Sequence, residues 1–341
     1  MSSLERRYLR LVRLFYPAGY RDERGTEIVG TYLALSSPDR QWPSTADVRD
    51  LAGGGLRQRL RAAGATGLGQ GLQVAAPLAL STATALAGGW ATLELNPWTT
   101  AWFGWEQHGT YVSLGIGVWA AWLLAAVVHV VAPGRWTRPA IGLALVLTVA
   151  VVPLAAITDQ FRPPLFVLLA QAGLGIVALG VPHRLPLGLR LLPLAGAAAA
   201  LPVAAALAHD GVGDVHTYYG WPAGQVLPVV GTALLLVTLL VGVVLAARND
   251  FRGAWALLVL LGPSGMLWLH PMAEELAVTM YGGGPNADRT TLATAAIAVS
   301  AVAVMIVVSA ALMTRRRAAS THATAERCVA CGSLTTDSTK R

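Results

Sequence analysis

Charge is scarce in this 341-residue chain: 13% of its residues are Asp, Glu, Lys or Arg, against roughly 25% in an ordinary soluble domain. Too few charged side chains are present to solvate a soluble fold of this size, which excludes a soluble enzyme. The 55% hydrophobic content excludes a disordered or fibrous chain as well. Lysine is almost missing, since 24 of the 25 basic residues are Arg and the other is Lys340. Cysteine is confined to Cys328 and Cys331, so no disulfide framework can be drawn. The first thirty residues hold Arg6, Arg7, Arg10, Arg13, Arg21 and Arg24 with no apolar core between them, unlike a cleavable signal peptide. Neither a GxxxxGK[ST] phosphate loop nor an HExxH metal motif occurs, so an ATP-driven role needs a separate ATPase. Glu274-Glu275 superficially resembles the glutamate pair of intramembrane CAAX-type proteases, but no Arg follows at the required spacing.

Apolar blocks dominate, as the mean hydropathy of +0.55 reflects. Eight stretches stand out, at 72–91, 111–132, 140–157, 165–181, 190–208, 226–247, 254–270 and 290–314. Each is close to the ~20 residues that cross ~30 Å of hydrocarbon as a helix. No acidic or basic side chain lies in their interiors, whereas ion-coupled carriers usually keep one to bind the ion. With the N-terminus inside, the cytoplasmic segments hold nine Arg (135, 138, 184, 190, 248, 252 and 315–317) against one acid, Asp250. The opposite segments hold only Arg162 and Arg289, with eight acids. Because Arg translocates poorly, this asymmetry places both termini in the cytoplasm.

The outer segments carry Trp98, Trp102, Phe103 and Trp105, then Tyr218, Tyr219 and Trp221. Such rings favour the headgroup level, so an interfacial belt is expected, with a ligand vestibule as the alternative. His108-Gly-Thr-Tyr111 and His216-Thr-Tyr-Tyr219 hint at two repeated groups of four helices.

Residues 1–71 read as a basic helical head, with eleven Arg against seven acids. At helical spacing Leu4, Tyr8, Leu11 and Phe15 fall opposite Arg6, Arg10 and Arg13, and Pro17 with Gly19 ends that helix. A second helix is expected from about Asp22, striped by Ile28, Tyr32 and Leu35. Ser44-Thr-Ala-Asp47 reads as a capping box for a third, carrying Val48, Leu51, Leu56 and Leu60 and weakened by Gly53-Gly54-Gly55. Gly64, Gly67, Gly69 and Gly71 then read as a flexible joint. Such a head suits three uses: resting on anionic lipid, docking a cytoplasmic partner, or binding DNA. The last is least supported, since no helix-turn-helix pattern stands out.

The run Leu4-Glu-Arg-Arg-Tyr-Leu-Arg-Leu-Val-Arg-Leu, then Tyr16-Pro17, Tyr20-Arg21, Gly25, Glu27, Pro43-Ser44 and Gly54-Gly55-Leu56-Arg57, carries a resemblance. It is similar to the permease-prefix-like helical segment of uncharacterised actinobacterial multispanning integral membrane proteins. Related prefixes precede export-type permeases, and neighbouring genes often encode PadR-type transcriptional regulators. The resemblance therefore implies either a permease or a membrane regulatory component. The membrane part departs from large permeases in having no extensive segment between its first spans.

Four histidines (His108, His209, His216 and His270) accompany Glu106, Asp210, Asp214 and Glu274 on the outer side, but their spacing matches no metal motif. Cys328-Val-Ala-Cys331 supplies half a tetrahedral zinc site at most. Mid-span Gln171 is expected to make an interhelical hydrogen bond, and Pro153 and Gly262-Pro263-Ser264-Gly265 to kink or break their helices.

The expected fold is all-α: a polytopic transmembrane helical bundle of about eight spans, N-in/C-in, with a small helical cytoplasmic N-terminal segment. Residues 1–71 form the head, 72–314 the transmembrane domain and 315–341 a disordered cytoplasmic tail. The expected function is non-enzymatic, a plasma-membrane sensor or regulatory component whose head docks a partner such as a regulator or an ATP-binding subunit. A transporter or permease subunit working with a separate ATPase is the alternative. No catalytic, cofactor or metal residue is assigned, and no direct nucleic-acid contact is expected.

Overall fold

Ser2 opens the first helix, α1 (Ser3–Phe15). Its hydroxyl accepts from the Glu5 N–H at 3.1 Å, and the Glu5 carboxylate accepts in return from the Ser2 N–H. Two otherwise orphaned donors are satisfied reciprocally. The computed structural model describes residues 2–37, 40–62, 66–95, 111, 113–209, 220–248, 250–281 and 288–330. Among these it is all-helical, with twelve helices and no strand.

α2 (Ala18–Leu35) begins four residues before the expected Asp22. Pro17 holds the φ an N-terminus needs, and its carbonyl takes the first helical bond from the Arg21 N–H at 3.0 Å. α3 (Thr45–Ala62) starts at the expected box: Asp47 N–H donates to Ser44 Oγ at 3.1 Å, and Ser44 N–H to Asp47 Oδ2 at 3.0 Å. α1 packs on both partners around Leu4, Tyr8, Val12, Tyr16, Val29 and Leu51. The stripes are rotated from expectation: Val12 is buried where Leu11 is half-buried, and Leu35 and Leu56 are exposed.

The three glycines do not interrupt α3, and they are not equivalent. A Cβ on Gly55 would lie 2.5 Å from Phe15 Cβ and 2.7 Å from its backbone, whereas one on Gly53 meets nothing within 4 Å. Gly55 is therefore where α3 approaches the end of α1. Gly55→Ala is expected to destabilise the head by about 1–3 kcal/mol through overpacking. Gly53→Ala should stabilise it by up to about 1 kcal/mol by favouring the helix. Hydrogen exchange across 3–62 checks both signs.

By its contacts the chain divides into Met1–Thr66 with Val308–Arg341, and Gly67–Val307. The second unit holds α4 (Thr66–Glu94, from Gly67), α5 (Gly115–Val131), α6 (Thr137–Thr158), α7 (Leu165–Ala178), α8 (Leu187–His209), α9 (Gly220–Ala246), α10 (Arg252–Leu267), α11 (Leu269–Tyr281) and the first part of α12 (Arg289–Ala330). α4, α6, α8, α9 and α12 are long and apolar enough to cross a membrane, and the bent pair α10–α11 makes a sixth candidate. α5 and α7 are apolar but shorter. Each apolar stretch seen in the sequence is thus helical.

The packing is built on small residues. α4 buries Ala75, Ala76, Ala79, Ala83 and Ala87, and around it lie Trp119, Trp122, Leu174 and Leu260. Other faces are apolar and uncovered: Leu236, Val237, Leu239, Leu240, Val243 and Val244 on α9, and Ile297, Val302, Val304 and Met305 on α12. Side chains of this kind in such density suit a hydrocarbon solvent.

Three elements differ from the sequence expectation. The glycine joint is helical from Thr66 onward, because Gly67 and Gly71 form a packing notch; residues 63–65 lie outside the described residues. The seventh apolar stretch breaks at Trp268, where α10 and α11 meet at 60°. α12 runs on through 315–330, where a disordered tail was expected. That stretch is rich in Ala and Arg and holds neither Pro nor Gly, so the helix propagates once formed.

Candidate functional site

The head offers the clearest surface. Its acids are largely engaged within it. Tyr8 hydroxyl donates to Asp47 Oδ2 at 2.7 Å, Arg40 lies 3.5 Å from the same oxygen, and Tyr32 hydroxyl donates to Asp50. Asp22 pairs with Arg21, and Glu27 with Arg24. Two arginines are also engaged: Arg59 donates to the Phe15 and Leu14 carbonyls at the end of α1, and Arg7 stacks 3.3 Å from the Trp42 ring centroid. Arg6, Arg10, Arg13 and Arg49 are exposed, and among the described residues none of them forms an ion pair; the first three share one face of α1.

Titration follows from this geometry. The Tyr8 hydroxyl holds the Asp47 carboxyl below its ordinary value against the opposing effect of burial, with help from Ser44 and Arg40. Burial is the main reason that Tyr8 and Tyr32 are raised, Asp47 and Asp50 adding to it. Asp47's folded value lies below its unfolded one. Its contribution is therefore complete above about pH 4 and is lost as pH falls through the lowered value. The tyrosines work in the opposite direction: their contribution is complete below about pH 10 and is lost as pH rises through the raised values. The head should hold a stability plateau that falls at both ends. Hydrogen exchange of 3–62, corrected for the intrinsic pH dependence of exchange, checks it.

In the second unit Glu94 is wholly buried at the end of α4. It accepts from the Ser113 N–H at 2.9 Å and from its hydroxyl, and so closes the start of α5, where positive helix charge favours a carboxylate. Leu114 N–H donates to the Phe161 carbonyl at 3.0 Å, which ties the 159–164 linker to the same place. Arg162 in that linker is half-buried, and burial together with nearby Arg289 lowers its pKa. His270 and Glu274 lie on α11 rather than in a loop, 3.4 Å apart, with His270 edge-on to Phe166. Asp288 caps α12 through the Thr291 N–H at 2.7 Å, and its hydrogen bonds with Thr290 and Thr291 bring its pKa down to about 2.

Gln171 makes the expected interhelical bond, donating Nε2 to the Ala83 carbonyl at 3.0 Å. Among the described residues no three His, Cys, Asp or Glu side chains converge as a metal site would require. His108, Glu106, Asp210, Asp214, His216, Cys331 and the ring groups Trp98–Trp105 and Tyr218–Tyr219 lie outside the described residues, as do the side chains of His209, Trp221 and Cys328. So does most of the repeated His-x-x-Tyr pattern.

The fold defines an all-helical protein with helices long and apolar enough to cross a membrane. No family model, curated protein or solved structure matches the chain.

Proposed function

We propose that the chain is an integral protein of the plasma membrane, with both termini cytoplasmic. In this reading it is a non-enzymatic sensor or regulatory component whose head docks a cytoplasmic partner through Arg6, Arg10 and Arg13. The observation that carries it is the uncompensated arginine face of α1, on a helical unit whose acids are largely engaged internally. Exposed charges of one sign on a rigid helix steer and orient an acidic partner. The arginine asymmetry of the short segments supports the orientation.

A transporter or permease subunit served by a separate ATPase is the second reading. It is favoured by the number of apolar helices and by the prefix resemblance. Capture from mild-detergent extracts separates the two. The full-length protein should retain a cytoplasmic protein that Arg6→Glu/Arg10→Glu/Arg13→Glu releases. A signalling protein or transcription factor supports the regulator, and an ATP-binding subunit the permease. Equal partners on both proteins would refute docking through this face. Loss of binding to phosphatidylglycerol vesicles alone would assign the face to lipid.

A further inference from the structure

Where α5 ends and α8 begins, one buried histidine and one nitrogen of a half-buried arginine lack hydrogen-bond partners. His129 is 1% exposed, and neither ring nitrogen has a hydrogen-bond partner. Arg190 donates Nη2 to the Val130 carbonyl at 2.7 Å, while its buried Nε–H finds no acceptor. Val130 is next to His129 in the chain and α5 packs on α8, so both unsatisfied groups lie at one helix–helix junction. A buried donor without an acceptor is costly, the more so if charged. Natural proteins rarely leave two such groups together.

The surroundings say what would satisfy them. The Arg190 Nε–H needs an acceptor, as does the one N–H of a neutral imidazole, whose other nitrogen accepts. This chain does not supply the charge locally: there is no Asp or Glu in 132–158 or in 178–208. The neighbouring linkers add cations. Arg138 reaches toward the Val181 carbonyl at 3.5 Å, and a Cβ on Gly134 would lie 3.0 Å from His183 Nδ1, so the α5–α6 turn touches the α7–α8 linker. α6 and α8 begin at this end with their positive helix termini. The unfavourable elements are the carbonyl ends of α5 and α7; Arg190 covers the Val130 carbonyl of the first, and Arg138 points at the Val181 carbonyl just beyond the second.

We propose that this junction binds a phosphate-bearing anion, with one oxygen accepting from Arg190 Nε–H and another from a His129 ring N–H. The shared chemistry is that of a phosphoryl oxyanion, from an acidic phospholipid headgroup or from a free phosphate. A basic pocket between membrane helices fits a headgroup by the same logic. The site is separate from the arginine face of the head and does not depend on it.

The test uses the full-length protein, delipidated in a neutral detergent and titrated with short-chain phosphatidylglycerol, short-chain phosphatidylcholine or inorganic phosphate. Binding is read by phosphorus NMR and by the shift in melting temperature. Phosphatidylglycerol should bind about tenfold or more tightly than phosphatidylcholine. Arg190→Gln should lose that preference, and Arg190→Lys should weaken binding by keeping the charge without the Nε–H. His129→Phe preserves an aromatic ring in the core and removes the donors, so it reports on the site even where an Arg190 variant folds poorly. Arg252→Gln, whose guanidinium is already paired with Asp250, should bind like the wild type. Saturation by inorganic phosphate identifies a free-anion site, and binding of the lipid alone a headgroup site; both support the proposal. Absence of binding by the folded wild type, equal affinity for both lipids, or unchanged affinity in folded Arg190→Gln and His129→Phe would overturn it.

Discussion

Gly71→Leu should prevent the second unit from assembling. A Cβ at Gly71 would lie 2.3 Å from Trp255 Cβ and 2.7 Å from the Trp255 backbone, and one at Gly67 would lie 2.0 Å from Trp255 Nε1. The two glycines are one helical turn apart and form a notch on α4 that receives the α10 tryptophan. Between membrane helices there is little hydrophobic drive, so close packing of small residues carries the association. Backbone cannot yield as the end of a side chain can, hence even Gly71→Ala must displace α10. We expect Gly71→Leu to abolish a cooperative melt in detergent and Gly71→Ala to lower the melting temperature. Gly69→Ala is the control: no atom lies within 4 Å of its added Cβ, and it should melt like the wild type. A wild-type melt for Gly71→Leu would show that the notch is not needed.

Asp47→Ala should unfold the head while leaving the apolar helices intact. A unit of this size stands only about 3–9 kcal/mol above its unfolded state by the usual stability per residue. Asp47 joins three elements: it accepts from Tyr8 hydroxyl on α1 at 2.7 Å, accepts from the Ser44 N–H at 3.0 Å as the α3 cap, and pairs with Arg40 at 3.5 Å. Its removal leaves the Tyr8 hydroxyl only the long contact to Ser36 Oγ at 3.5 Å, a loss worth about 1–3 kcal/mol, and removes a capping interaction worth about 1 kcal/mol. Asp47→Asn keeps an acceptor and should fall between the two. Hydrogen exchange should rise throughout 3–62 in Asp47→Ala, with little change in α4 to α11. Protection in 3–62 equal to the wild type would contradict this role.

These two sites show what sequence alone conveys. The apolar stretches and the Ser44/Asp47 cap were readable because hydropathy and capping are local properties of neighbouring residues. The phase of the head stripes was less so: Leu11 and Val12 are adjacent and both apolar, and only packing decides which turns inward. Gly67 and Gly71 read as a joint because glycine serves flexible linkers and tight helix contacts equally, and nothing in sequence ties them to Trp255. The same holds for His129 and Arg190, which lie on different helices with no spacing to relate them. Tail residues 315–330 read as disordered from their polarity, yet their Ala and Arg content carries the preceding helix onward.

Sidedness and shielding of the arginine face test the account together, through accessibility of a single thiol. Arg13→Cys is made in the chain whose Cys328 and Cys331 are both replaced by Ser, and a membrane-impermeant maleimide is applied. Intact cells should show no labelling at this position, and inverted membrane vesicles should label it. Labelling in inverted vesicles should accelerate after a high-salt wash strips an electrostatically held partner. Labelling from outside intact cells would contradict the cytoplasmic head, and an unchanged rate after the wash would contradict a docked partner on this face.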